Sequence, residues 1–269
     1  MYCPSIPYGE LFKMAINEIF LNPTVKQVIF QVRFPCLFSI ESLIGTYQTR
    51  IMEKFPKSEL VLSRRFILVP VPDSGQRKEV SEEQDIGAIK KIWKFTTESG
   101  VILNVLVDSL DISSTVHKTY KNPQGKERFR DIIEFVLEHF FHVTQIPKVN
   151  RIGLRYIDEC PITSKGNVTF REYYNTTLPL ERFSLKDALE MAFTARARRG
   201  KYFLTFREAL IEKSGEPNLI LDFDGYAENI KASDCLAVTD SLHDLISQEY
   251  EASIKEPVYR YMRKKRKSE

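Results

Sequence analysis

Four cysteines in 269 residues, at Cys3, Cys36, Cys160 and Cys235, are too few and too scattered for a disulfide framework. No C-x-x-C pair and no clustered histidine accompanies them, so a zinc site has little support either. They read as reduced thiols of a cytoplasmic protein. Long apolar runs are also missing: nowhere do 18 uncharged apolar residues follow one another, which speaks against a bilayer-spanning helix. Glu10, Lys13, Asn17 and Glu18 interrupt the N-terminal stretch, which also lacks the basic n-region and small-residue cleavage site of a secretory signal. Residues 9–21 instead place Leu11, Met14, Ala15, Glu18 and Ile19 at imperfect helical spacing, as in a short amphipathic helix that docks on the chain's own core or on a partner.

The familiar catalytic signatures are absent too. The chain has no G-x-x-x-x-G-K-[ST], G-x-G-x-x-G, H-E-x-x-H or G-x-S-x-G, so phosphate-loop, dinucleotide-fold, zincin and serine-hydrolase chemistry lose their best evidence. Of the four histidines, His139 and His142 have an i, i+3 spacing that suits a metal but lack a third ligand and flank an aromatic stripe. His117 and His243 have no nucleophile beside them in sequence. The best carboxylate pair is Asp222 and Asp224 in LILDFDGY, which share one strand face and offer a minority reading as a metal-dependent nuclease. Asp108 and Asp111 have opposite parity and do not obviously join them. The expectation is a protein that is not an enzyme and needs no cofactor.

What the chain does hold is an ordinary globular mixture, 43% hydrophobic and 28% charged, enough for one or two compact domains. Its net charge of +3 is unevenly placed: residues 260–269 carry six basic groups against Glu269, which leaves residues 1–259 slightly acidic. A second basic cluster lies inside the chain, in TARARRGKYFLTFR, where Arg196, Arg198, Arg199, Lys201 and Arg207 precede the first carboxylate, Glu208. Such a patch suits polyphosphate, although arginines beside Gly200 also fit the solvent-facing edge of a strand. The terminal run Arg263, Lys264, Lys265, Arg266 and Lys267 reads as a solvated tail or as further phosphate contacts.

Periodicity supplies the architecture. Strict alternation of Val28, Phe30, Val32 and Phe34 predicts a half-buried strand over 25–34, followed by a helix over 39–54 with Ser39 as N-cap and Pro56 as its stop. Strands are expected at 59–69, 89–97 and 101–112, the last two turning at Ser99-Gly100, and 70–88 reads as a long loop. The clearest helix is 127–142, with Phe129, Ile132, Ile133, Val136, Leu137 and Phe140 on one stripe. VNRIGLRYIDEC alternates again, and after it come an expected helix at 184–195, strands at 201–208 and 218–224, and a helix at 234–250. Both halves read strand, helix, strands, helix. The fold class is therefore α+β, mixed or antiparallel sheets covered by helices, with two similar subdomains over 1–147 and 148–269.

Four segments carry a family likeness: VKQVIFQVRF, VNRIGLRYIDEC, LILDFDGY and LHDLISQEYEASIKEPVYRYM. With Arg33-Phe34, the Gly153, Arg155, Tyr156 strand and the closing Leu242, His243, Tyr250, Glu251, Ile254 helix, the chain resembles a sporadically distributed family of uncharacterised bacterial and archaeal proteins of about this length. The resemblance covers most of the chain but not the basic tail. Its patchy occurrence is similar to that of mobile defence genes, and some members accompany short prokaryotic Argonaute proteins. It implies a binding subunit of an antiviral defence complex, with a protein partner such as a short Argonaute and with guide or target RNA or DNA as a second ligand. On that reading Arg196, Arg198, Arg199 and Lys201, helped by Arg263 to Lys267, contact phosphates, and an apolar face meets the partner. Arg151 and Arg155 are secondary candidates, equally suited to pairing with carboxylates. A protein-interaction scaffold without nucleic-acid contact remains the alternative binding role.

Overall fold

A computed structural model describes residues 20–63, 90–120, 127–162, 166–213 and 216–264. Of the helix expected at 9–21, residues 9–19 lie outside the described residues and Phe20 and Leu21 are not helical; the loop at 70–88 and Lys265 to Lys267 also lie outside the described residues. Alternation produces β1 (Val25–Arg33), which buries Val28, Phe30 and Val32 and leaves Arg33 exposed. In α1 (Ile40–Ile51), Ile40, Tyr47 and Ile51 are buried. Ser39 occupies its N-cap position without a side-chain cap; its carbonyl accepts the Ser42 hydroxyl at 2.8 Å. The meander β2 (Lys57–Ser63), β3 (Lys90–Thr96), β4 (Ile102–Val105) and β5 (Ser109–Ser114) comes next. The strand expected over 101–112 is thus two strands, broken where the Leu106 N–H bonds the Ser109 carbonyl at 2.8 Å.

The stripe on α2 (Phe129–Thr144) buries the six residues that periodicity singles out, each worth about 1.5–3 kcal/mol on removal from water. Arg128 and Asp131 bond reciprocally at its start, and Gln145 closes it in the left-handed region, with φ 54° and its N–H on the Phe141 carbonyl. The second half then runs β6 (Lys148–Cys160), α3 (Asn167–Tyr173), β7 (Glu190–Arg199), β8 (Tyr202–Lys213), β9 (Glu216–Lys231), α4 (Cys235–Ser253) and α5 (Glu256–Arg263). The helix expected at 184–195 is corrected: 184–189 is a turn-rich connection and 190–199 is strand. Full-length pairing of β7 with β8 outweighs the local helical tendency of this stretch, in which Leu185 is buried and Leu189 exposed.

The molecule is α+β, with helices on one side of a single nine-stranded sheet, antiparallel throughout, among the described residues. Strand order is β2-β3-β4-β5-β1-β6-β9-β8-β7. In each half the first strand pairs with the last strand of that half's meander, β1 with β5 and β6 with β9. The two first strands pair antiparallel with each other at the centre, with a four-stranded meander beyond β1 and a three-stranded one beyond β6. On the covered side α1 packs on α2, and α4 lies on β6 and β9. Gly225 permits that approach of α4, because a Cβ there would meet the Ile246 side chain at 3.2 Å. At the seam, buried Asp158 on β6 accepts the Thr24 hydroxyl at 2.8 Å, while Thr24 and the Tyr250 hydroxyl share a second bond at 2.6 Å. Burial pushes the Asp158 carboxyl up to about 7.

Candidate nucleic-acid interface

Because successive strand residues point to opposite faces, half of every strand turns away from the helices. Register lines up these residues in rows across the second half of the sheet. One row holds Arg198, Phe203, Tyr226, Gly153 and Gln31; the next holds Arg196, Thr205, Asp224, Arg155 and Ile29. A third holds Thr194, Arg207, Asp222, Ile157 and Gln27. Aromatic, cationic and anionic groups therefore meet on one face that runs across five strands, β7, β8, β9, β6 and β1.

The middle of this face is electrically closed. Asp222 accepts Arg155 Nε and Nη2 at 2.7 and 2.6 Å, and the two oxygens of Asp224 accept Arg151 Nη2 at 3.1 and 2.9 Å. Burial raises the Asp224 carboxyl, opposed by Arg151 and Arg155, and the bond to Asp222 raises the Arg155 guanidinium. Two arginines and two aspartates cancel. Both aspartates are thus held by cations, and among the described residues no group of three His, Cys, Asp or Glu side chains is placed to hold a metal. That geometry gives the nuclease reading of Asp222 and Asp224 no support.

Beside this pair of bridges stands an arginine–aromatic stack. Tyr226 is only 3% exposed, its ring lying 5.0 Å from that of Phe203 at 14°. The Arg151 guanidinium covers the Tyr226 ring at 4.4 Å, and Arg196 Nε donates to the Tyr226 hydroxyl at 2.6 Å. Arg198 lies 5.9 Å from the Phe203 ring, with Nε on the Gly200 carbonyl at 3.1 Å. Arg196, Arg198 and Arg207 are exposed, and none has a carboxylate partner among the described residues.

The structure divides the arginines and lysines that the sequence singles out. Arg196 and Arg198 share the open face, and Lys201 sits with Gly200, φ 60°, in the two-residue turn that joins β7 to β8. Arg199 points to the helix side, where its Nε donates to Glu249 of α4 at 2.7 Å. Arg263 pairs with Glu256 of its own helix at 3.3 Å, and the Lys264 carbonyl accepts the Asn22 side chain. These bonds hold the end of α5 at the Val25–Asp158 end of the β1–β6 ladder, six residues from the Gln31 row of Arg198, or about 20 Å along β1. Arg198 and the start of the terminal run therefore do not meet. Arg151 and Arg155 are carboxylate partners, one of the two roles expected for them.

Sequence reasoning counts Arg207 in the basic cluster but leaves it out of the residues assigned to phosphate, although the signal for it is present. A two-residue turn at Gly200-Lys201 puts Arg196 opposite Thr205 and Thr194 opposite Arg207, so Arg207 shares the face of Arg196 and Arg198 by parity alone. Tyr226 and Phe203 had no such signal, since their stack depends on β8 lying beside β9.

The remaining candidates have local partners. His142 Nε2 meets Arg50 at 2.8 Å, and His139 abuts the Phe135 ring at 4.5 Å. His117 Nδ1 bonds the Ser114 hydroxyl at 2.8 Å, while His243 stacks on Tyr120 and bonds the Tyr156 hydroxyl at 3.2 Å. Cys36, Cys160 and Cys235 are free thiols, and burial pushes the Cys235 thiol up to about 12. No helix among the described residues is long and apolar enough to cross a membrane. Comparison with family models, with curated proteins and with solved structures finds no match.

Proposed function

We propose that this chain is a non-catalytic nucleic-acid-binding subunit, which uses the open face of β7 and β8 to hold the phosphate backbone of RNA or DNA. One observation carries the reading: Arg196, Arg198 and Arg207 stand exposed and without carboxylate partners beside a centre whose charges cancel internally. A sheet face that needed cations only for its own cohesion has its arginines bridged, as Arg151 and Arg155 are. Guanidinium groups left facing water suit phosphate, which each can meet with two parallel hydrogen bonds. The family likeness supports placing this activity in a prokaryotic antiviral defence complex beside a short Argonaute, in the cytoplasm.

The test is an affinity measurement on the full chain with a labelled oligonucleotide across a series of salt concentrations. Arg196→Glu with Arg198→Glu is expected to weaken binding and to lower the salt slope by about 1.4–1.8, at about 0.7–0.9 per phosphate contact. Unchanged affinity and slope in the folded double variant reject the assignment and leave the protein-only scaffold.

A further inference from the structure

Resting on the nucleic-acid reading, we infer that the open face grips one sugar-phosphate strand through Arg198, Arg196 and Arg207 and leaves its bases unread. Arg207 is the third binding residue of this set. The three are joined by a step along β7 and a diagonal step to β8: Arg198 and Arg196 are two residues apart on β7, and Arg207 stands on β8 opposite Thr194, two residues further along. Strand geometry spaces them about 7–8 Å apart, close to the interval between successive phosphates of one strand. Each differs in how it is held. Arg196 is fixed by the Tyr226 hydroxyl and Arg198 by the Gly200 carbonyl, while Arg207 has no partner among the described residues. The carboxylates nearest the three, Asp222 and Asp224, are already taken by Arg155 and Arg151, so they do not cancel them.

Indifference to base identity follows from the rings. Proteins that stack bases offer an open aromatic face. Here Tyr226 is buried between Phe203 and the Arg151 guanidinium, and Phe203 has Tyr226 against its ring and Arg198 within 5.9 Å of its centroid. The aromatics build the arginine platform: Tyr226 has no face left for a base, and Phe203 stands half-buried against it.

The experiment measures fluorescence anisotropy of the full chain with oligo-dT, oligo-dA and oligo-dC of equal length across a salt series. Affinities for the three are expected within about threefold of one another, and Arg207→Ala lowers the salt slope by about 0.7, as does Arg196→Ala. Lys186→Ala, which removes an exposed charge from the connection before β7, leaves the slope unchanged. A preference of about tenfold or more for one base, or an Arg207→Ala slope equal to that of Lys186→Ala, overturns the inference while nucleic-acid binding stands. No binding to any of the three at low salt overturns both. Thermal melts of the variants verify that each is folded.

Discussion

The two halves of the sheet share a plan and differ at their outer arms. In the first half, two open-face cations of β2 and β3 are neutralised, Lys57 by Glu98 at 3.4 Å and Lys94 by Glu59 at 2.6 Å, while Lys90 at the start of β3 has no carboxylate partner among the described residues. In the second half, Arg196, Arg198 and Arg207 have no such carboxylates. Each arm ends in an edge strand, β2 or β7, paired on one side only among the described residues. A strand edge lined with arginine resists pairing with a stray strand, a protection that Arg196 and Arg198 give β7. The comparison teaches that two meanders of one sheet need not share a surface: one arm pairs most of its open-face charges, and the other leaves three arginines without carboxylates, as the proposed phosphate contact requires.

The largest expected effect tests whether the halves form one cooperative unit. Phe223 is fully buried on β9, with its ring 5.1 Å from Phe206 and 6.1 Å from Tyr250. Phe223→Ala is expected to cost about 3–5 kcal/mol through lost burial and the cavity left behind. Because the β1–β6 ladder joins the halves, the loss is to be seen at the same denaturant midpoint by Trp93 fluorescence, the chain's one tryptophan, on β3 in the opposite half. A Trp93 transition that stays at the wild-type midpoint breaks the comparison, since the arms then belong to separately folding units.

How much of this contrast could be read from residues alone depends on the range over which each feature is specified. β1, α2 and β6 were legible because burial imposes a period of 2 or 3.6 on a continuous stretch, and their buried residues are those the period names. The first part of β7, residues 190–195, was misread because Met191 is its one buried residue, which leaves a weak strand pattern, and only the ladder with β8 settles it. The phosphate-facing role proposed for Arg196 and Arg198 came from charge density, a local property. The pairing of Arg155 with Asp222 and of Arg151 with Asp224 spans 67 and 73 residues, and it follows from strand order in the sheet. Arg199 shows the cost of counting charges without parity, since a one-residue step puts it on the other face against Glu249.

A smaller effect sharpens the difference between bridging and free cations. Asp222 is 9% exposed and depends on Arg155 for its charge partner. Arg155→Ala strands that carboxylate and is expected to cost about 1–3 kcal/mol, below a fully buried pair because Arg155 is itself half in solvent. Lys94→Ala in the opposite arm is expected to cost about 0–1 kcal/mol. Urea denaturation of both variants measures the gap. Equal costs show that the central bridges are surface decoration, and the distinction between a closed centre and an open arm loses its basis.

The smallest expected effect separates charge from position. Tyr226→Phe keeps the ring stacked on Phe203 and under Arg151 but removes the hydroxyl to which Arg196 donates. The expected stability loss is about 1 kcal/mol or less, because Arg196 is exposed and turns to water instead. For nucleic acid the two properties part. All three cations remain, so the salt slope holds at its wild-type value. Arg196 has lost its tether and must be ordered on binding, so affinity falls by a few-fold at every salt concentration. A slope that drops as it does in Arg196→Ala indicates that the hydroxyl keeps the guanidinium on this face at all. Unchanged affinity shows that the platform beneath the arginines positions nothing, and that the second arm differs from the first in charge alone.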